Sequence, residues 1–239
     1  MASIVDDRGF NQGFVPTKAL IQRTQRRCDA LVAEMDLSRR SEVLELGCGT
    51  GELSYLLAQK SGTNVIGTDL CKPFVERARE TYQLSNLSYE MLDLRAAEQL
   101  ESMAGRFDYV VGNGILHHVY HDLDDVLTKL KSLLRPGGKL LFWEPNLLNP
   151  YVTLIFNIPF LRKVAKLEPD EMAFTPSFIR AKLEKAGLEV LRVETRDFLL
   201  PNTPDLFIRP VVHIGDILER ISALNWLAQS IFISASRRD

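Results

Sequence analysis

The chain has 239 residues, 46% hydrophobic and 25% charged, with 29 basic against 31 acidic side chains and a formal charge of -2. That is enough chain to bury a substantial core as one domain, and the charge balance offers no cationic surface for phosphate backbones, so nucleic acid is not an expected partner. No stretch approaches the ~18 uninterrupted apolar residues of a membrane span, and Met1-Ala2-Ser3-Ile4-Val5 lacks the basic and apolar pattern of a leader, so a cytoplasmic protein is expected.

Residues 1 to 16 carry Gly9, Gly13 and Pro16 without periodicity and are expected to form a mobile or ligand-covering arm. From Thr17 to Met35 the apolar residues Leu20, Ile21, Cys28, Leu31, Val32 and Met35 recur near helical spacing, which predicts an amphipathic packing helix. Together these form an N-terminal cap over residues 1–38.

Val43 to Leu53, VLELGCGTGEL, alternates as a strand does, breaks at Gly47, Gly49 and Gly51, and resumes with Leu53, Leu56 and Leu57 at helical offsets. This period switch predicts a strand, a tight binding turn and a helix, the opening of a βαβ unit. The helix is expected over Glu52 to about Lys60, then a strand over Asn64 to Leu70. Asp69 lies 18 positions past Gly51, close to the roughly 20 expected for a carboxylate that binds a ribose hydroxyl.

A helix starting at Pro73 follows, then strands over Leu87 to Leu92, ending at Asp93, and over Phe107 to Val111. Gly112-Asn113-Gly114 leads into the run Leu116-His117-His118-Val119-Tyr120-His121. Asp122 is expected to cap the next helix, whose core face is Leu123, Val126, Leu127, Leu130, Leu133 and Leu134. Pro136-Gly137-Gly138 is expected to end it before a strand over Lys139 to Trp143.

An insertion over 145–174 interrupts the alternation. Its apolar segment Leu147 to Leu161, broken by Pro150 and Pro159 and flanked by Arg162, Lys163 and Lys166, reads either as a lid or lipid-facing segment, with a peripheral membrane contact through 147–166, or as core packing or a dimer contact. A helix from Thr175-Pro176 to Gly187, a strand over Leu188 to Val193, a helical pattern of Ile214, Ile217, Leu218, Ile221, Leu224 and Leu227, and a last strand, Ser230 to Ala235, complete the chain.

Strands alternating with helices predict an α/β fold with a mostly parallel sheet covered on both faces. Ligands bind such sheets at the carboxyl ends of the strands, which gathers the glycine loop, Asp69, Asp93, the Gly112 to His121 segment and Glu144 at one edge. Cys28, Cys48 and Cys71 have no metal-ligand spacing and are expected to be reduced thiols, with no metal site. Cys48, between two glycines, presents its backbone to the ligand.

A dinucleotide and an adenosyl compound both suit glycines followed by a distant carboxylate. A pyrophosphate needs the bare positive end of a helix, but Glu45 precedes the turn and Glu52 starts the helix. Two carboxylates there suit a cationic ligand.

Glu45-Leu46-Gly47-Cys48-Gly49-Thr50-Gly51, followed by Asp69 and LLRPGG, resembles the class I S-adenosylmethionine-dependent methyltransferases over roughly residues 40 to 145. The resemblance implies a Rossmann-like sheet of seven strands, the last antiparallel between strands five and six. It implies S-adenosylmethionine as cofactor, with its methionine part in the glycine loop, its ribose on Asp69 beside Leu70, its adenine near Asp93 and Leu94, and Gly112 and Asn113 on the same edge. LHHV is similar to quinone-modifying methyltransferases, and EPNLLNP to enzymes of glycan and lipid-linked pathways.

The leading expectation is methyl transfer to a small, hydrophobic or lipid-linked acceptor, with O-methylation favoured. His118 or His117 would take the hydroxyl proton as a neutral imidazole, and Glu144 would act as a second acid or base, orient substrate, or serve structurally through a backbone hydrogen bond. A methyltransferase-like scaffold without catalysis and an NAD-dependent oxidoreductase are the alternatives. The acceptor atom and the oligomeric state are not legible.

Overall fold

In the computed structural model the described residues are 6, 9, 17–38, 41–94, 96, 100–221 and 223–238. The expected N-terminal arm therefore lies outside them, apart from Asp6 and Gly9. The strands are β1 (Glu42–Leu46), β2 (Asn64–Asp69), β3 (Leu87–Met91), β4 (Phe107–Asn113), β5 (Leu134–Pro145), β6 (Leu188–Arg196) and β7 (Ser230–Arg237). They form one sheet in the order β3-β2-β1-β4-β5-β7-β6. β1 to β5 pair in parallel, and β7 runs antiparallel to both β5 and β6. The expected seven-stranded sheet with an antiparallel last strand is the observed one.

Alternate residues of the central strands feed two cores because helices cover both faces. Leu44, Val110, Leu140, Phe142, Ile231 and Ile233 join one core. This core also receives Leu123, Val126, Leu127 and Leu130 of α4 (Leu123–Leu133) and Ile179 and Leu183 of α7 (Pro176–Lys185). Val43, Val65, Val111, Leu141, Trp143 and Phe232 join the other, under Cys28 and Leu31 of α1 (Lys18–Val32) and Leu53 and Leu57 of α2 (Glu52–Ser61). α3 (Lys72–Thr81) buries Phe74, Val75 and Ala78.

Several boundaries differ from the sequence reading. α1 starts one residue later, because Thr17 is its N-cap and accepts from the Leu20 amide at 3.1 Å. Asp122 makes no side-chain cap; it ends a 3₁₀ segment, Leu116–Asp122, that contains the histidines. The helix before Pro136-Gly137-Gly138 stops at Leu133, since Leu134 already pairs with Phe107, and β5 runs through the glycines over an irregularity in register. The insertion holds two short helices, α5 (Pro150–Asn157) and α6 (Pro159–Val164). The last helical pattern forms α8 (Asp205–Leu218), which stops before Ile221, and a 3₁₀ turn over Asn225–Leu227. Of the residues in that pattern, Ile214, Ile217, Ile221 and Leu224 are exposed. Among the described residues, no helix is long and apolar enough to cross a membrane.

Candidate active site

The sheet reverses its winding between β1 and β4, and the chain leaving β1 there has to turn sharply. Gly47, Gly49 and Gly51 all take positive φ, at 64°, 52° and 91°. Gly51 also admits no side chain: a Cβ there would sit 2.8 Å from Cβ of Ala78 on α3. The Gly49 amide donates to Asp69 Oδ2 at 2.8 Å, while the Cys71 amide donates to Oδ1 at 2.8 Å. Two backbone donors thus fix the Asp69 carboxylate at the end of β2.

These residues open onto a cavity of about 520 Å³, within the 300–1,000 Å³ usual for small-molecule sites. Of the residues expected to bind cofactor, Gly47, Gly49, Asp69, Leu70, Asp93 and Leu94 line it. Leu46, Phe74, Leu92, Ile115 and Val119 add apolar wall. Among the described residues no lysine or arginine lines it.

The other expected cofactor residues stand behind the wall. Glu45 is 1% exposed and bonded to Ser54, and burial pushes its carboxyl up to about 8. Burial also raises Glu52, which accepts from Thr50 at 2.7 Å. Cys48 donates its amide to the Thr68 carbonyl at 2.8 Å, and burial raises its thiol, which keeps the sulfur protonated. Gly112 packs beneath Phe142 and Ile115, and Asn113 Oδ1 accepts from Arg27 Nη1 at 2.6 Å.

Glu144, at the end of β5, is 1% exposed and holds the histidine segment. Oε1 accepts from the amides of Ile115 at 3.0 Å and Leu116 at 2.8 Å, and Oε2 from the His117 amide at 3.3 Å. Oε2 also meets His117 Nδ1 at 2.8 Å. His117 is buried, tilted by 37° against His118 at 4.3 Å between ring centroids and edge-on to Phe156. His121 packs against Tyr120 instead.

His118 alone of the three histidines lines the cavity. Its Nδ1 lies 2.7 Å from Glu171 Oε1 and 3.6 Å from Glu168 Oε1, which leaves Nε2 for the cavity. Burial opposes charge on this ring, but hydrogen bonds to Glu168 and Glu171 outweigh it and raise the pKa to about 9. The neutral imidazole expected at pH 7 is thus replaced by a cation held between two glutamates. Glu171 is 1% exposed.

Sequence reading passed over Glu168, Glu171 and Asp6, which also lines the cavity. The run Glu168-Pro169-Asp170-Glu171 follows the apolar insertion without any recognisable spacing to the histidines, so only the folded insertion delivers it. His117, His118 and Glu171 also bring one potential metal ligand each within 4.8 Å, a grouping the sequence did not suggest. His118 and Glu171 form an ion pair at 2.7 Å.

Residues 43–138 match a family model described as a methyltransferase domain. The chain is 30% identical over 122 residues to the methyltransferase GfsG of Streptomyces halstedii, aligning 51% of this chain with 44% of that one. It is 33% identical over 152 residues to a ubiquinone biosynthesis O-methyltransferase of Bordetella avium, covering 62% of this chain and 61% of the relative. The chain thus spans less than two thirds of either relative. A crystal structure of a SAM-dependent methyltransferase from Archaeoglobus fulgidus shares the fold, with a TM-score of 0.64, 18% identity and coverage of 90% of this chain and 93% of that one.

The cofactor of this class is S-adenosylmethionine, and the observed residues suit it. The positive-φ loop leaves Gly49 open, with nothing within 4 Å of where a Cβ would stand. Asp69 presents a carboxylate to the cavity, Leu70, Leu92 and Leu94 line it with apolar surface, and the lining is acidic rather than basic.

Proposed function

We propose, from the premise that residues 43–138 are a class I S-adenosylmethionine-dependent methyltransferase domain, that this chain methylates a hydroxyl of a small, hydrophobic or lipid-linked acceptor. The observation that carries the reading is one cavity bounded by the Gly49–Asp69 contact at one side and by His118 at the other. When bound, the cofactor supplies a methyl group on a sulfonium, already a good leaving group. The protein therefore has to bind, align and desolvate the acceptor and remove its proton.

In this proposal the fraction of His118 that is neutral takes the acceptor proton on Nε2, and Glu171 and Glu168 orient the ring and stabilise the imidazolium that results. Glu144 and His117 position the segment from behind: Glu144 fixes three successive amides and the His117 ring, which in turn packs tilted against His118. α5 and α6 act as a lid, with Val152 and Phe156 turned inward and Tyr151, Leu154 and Phe160 outward. The outward side, with Lys163 and Lys166, is the peripheral membrane contact expected of 147–166. Arg162, the first of that basic flank, is turned inward onto backbone carbonyls. The cytoplasm suits three free, buried thiols.

Calorimetric titration with S-adenosylmethionine, S-adenosylhomocysteine and NAD tests the donor. Binding of both adenosyl ligands and not NAD is expected; failure of both to bind overturns the reading. Transfer of labelled methyl to a hydrophobic phenol, absent from its deoxy analogue, tests the acceptor class. Donor binding without transfer to any hydroxyl would favour the scaffold alternative.

A further inference from the structure

α8 is apolar on both sides. Ile208 and Gly215 face the body, with Val211 and Val212 packed against Ala19 of α1 and Leu199. On the other side Leu206, Phe207, Ile214 and Ile217 are 80%, 54%, 54% and 47% exposed. At about 100° per residue, positions 206, 207, 210, 214 and 217 fall within one sector roughly 100° wide. An exposed apolar patch opposite the face that packs on the body marks an interaction surface.

The charges say what covers it. Every acid of α8 and its C-terminal turn is tied back to the body: Asp205 to Lys18 at 2.6 Å, Asp216 to Arg26, and Glu219 to Arg196 at 3.3 Å. Arg209 and Arg220 are exposed, lie along one flank of the apolar sector, and pair with no acid among the described residues. The outward surface is thus apolar with an unneutralised cationic edge. In a two-fold dimer through this face both copies would bring the same unpaired arginines, with no acid on either to receive them. Trp226, half-exposed just beyond, adds a side chain suited to a headgroup interface.

We propose that α8 lies in the surface of an anionic lipid bilayer, apolar sector inserted and Arg209 and Arg220 among the headgroup phosphates. This deepens the proposed function, resting on its reading of a hydrophobic or lipid-linked acceptor, by adding a docking surface on α8. Flotation of the full chain with phosphatidylglycerol-containing vesicles and with phosphatidylcholine vesicles tests it, without any acceptor present. Partition into the anionic vesicles is expected to exceed that into neutral ones at least tenfold, given ~1 kcal/mol per arginine near such a surface. It should fall at high salt, and fall about thirtyfold in Arg209→Gln/Arg220→Gln, a surface change that leaves the fold alone. Ile214→Glu/Ile217→Glu should abolish it.

No binding to either vesicle, or equal binding to both, overturns the proposal. So does a dimer, read by light scattering, that the isoleucine pair dissociates. S-adenosylhomocysteine calorimetry on the same preparations separates the two readings. Retained nucleoside binding without flotation removes only the membrane surface, whereas flotation without nucleoside binding removes only the methyl-transfer reading.

Discussion

His118 sits 2.7 Å from Glu171, so its imidazole is a cation at neutral pH, with about one molecule in a hundred carrying the basic form at pH 7 if the pKa is about 9. A base must be neutral to act. The expected outcome is acceptor kcat/KM rising close to tenfold per pH unit above pH 6 and levelling near pH 9, with the slope lost in His118→Gln. Glu171→Gln removes an anionic partner, so the midpoint should move down toward the ordinary histidine value; a flat profile in the unaltered enzyme rejects His118 as base. A second residue-scale prediction concerns Asp197. Burial works against its charge, but Arg23 at 2.8 Å and Arg27 at 2.9 Å more than offset this and hold the carboxyl below its usual 3.8. A depressed pKa stabilises the fold above the usual carboxylate value, and that stability is lost as pH falls through the folded one. Asp197→Asn, which strands two arginines, should therefore destabilise by about 3–5 kcal/mol at neutral pH. Thermal melts should show this gap closing in acid.

At the scale of elements, the insertion shows how a loop acquires a role. Arg162 at the end of α6 donates to the carbonyls of Phe156, Glu168, Pro169 and Glu171 at 2.7–3.1 Å. It folds the chain back so that the two glutamates reach His118. Arg162→Ala should raise acceptor KM about tenfold, the equivalent of one ~1.4 kcal/mol loss, and increase proteolysis between 157 and 170. Nucleoside affinity should hold, because α5 and α6 contribute nothing to the Asp69 side. The glycine loop was legible because period, glycine spacing and a distant acid all lie within one βαβ unit. The dyad was not: Glu171 is 53 residues from His118 in the chain, and no local pattern records a contact at that range. Helix ends were misjudged for a related reason, since pairing of Leu134 with Phe107 overrides the stop signal at Pro136.

For the whole molecule, the sheet order puts every strand end used by the site on one edge, so ligand binding there should stabilise the fold as a unit. Saturating S-adenosylhomocysteine at 100 times its Kd is expected to add about 2.7 kcal/mol, raising Tm by roughly 5–10 °C in a scan. No shift would indicate that the cavity does not take the nucleoside. What the sequence by itself determined is the alternation, the seven strands and the donor loop, because burial on both faces imposes period and β-branched strands locally, and because positive φ demands glycine. Tertiary structure decided the rest. It turned Glu144 from a candidate acid into the anchor of three amides, charged His118 by bringing an insertion across it, and left Ile214 and Ile217 facing outward. Burial and charge state depend on what lands beside a residue, and only the folded chain fixes that.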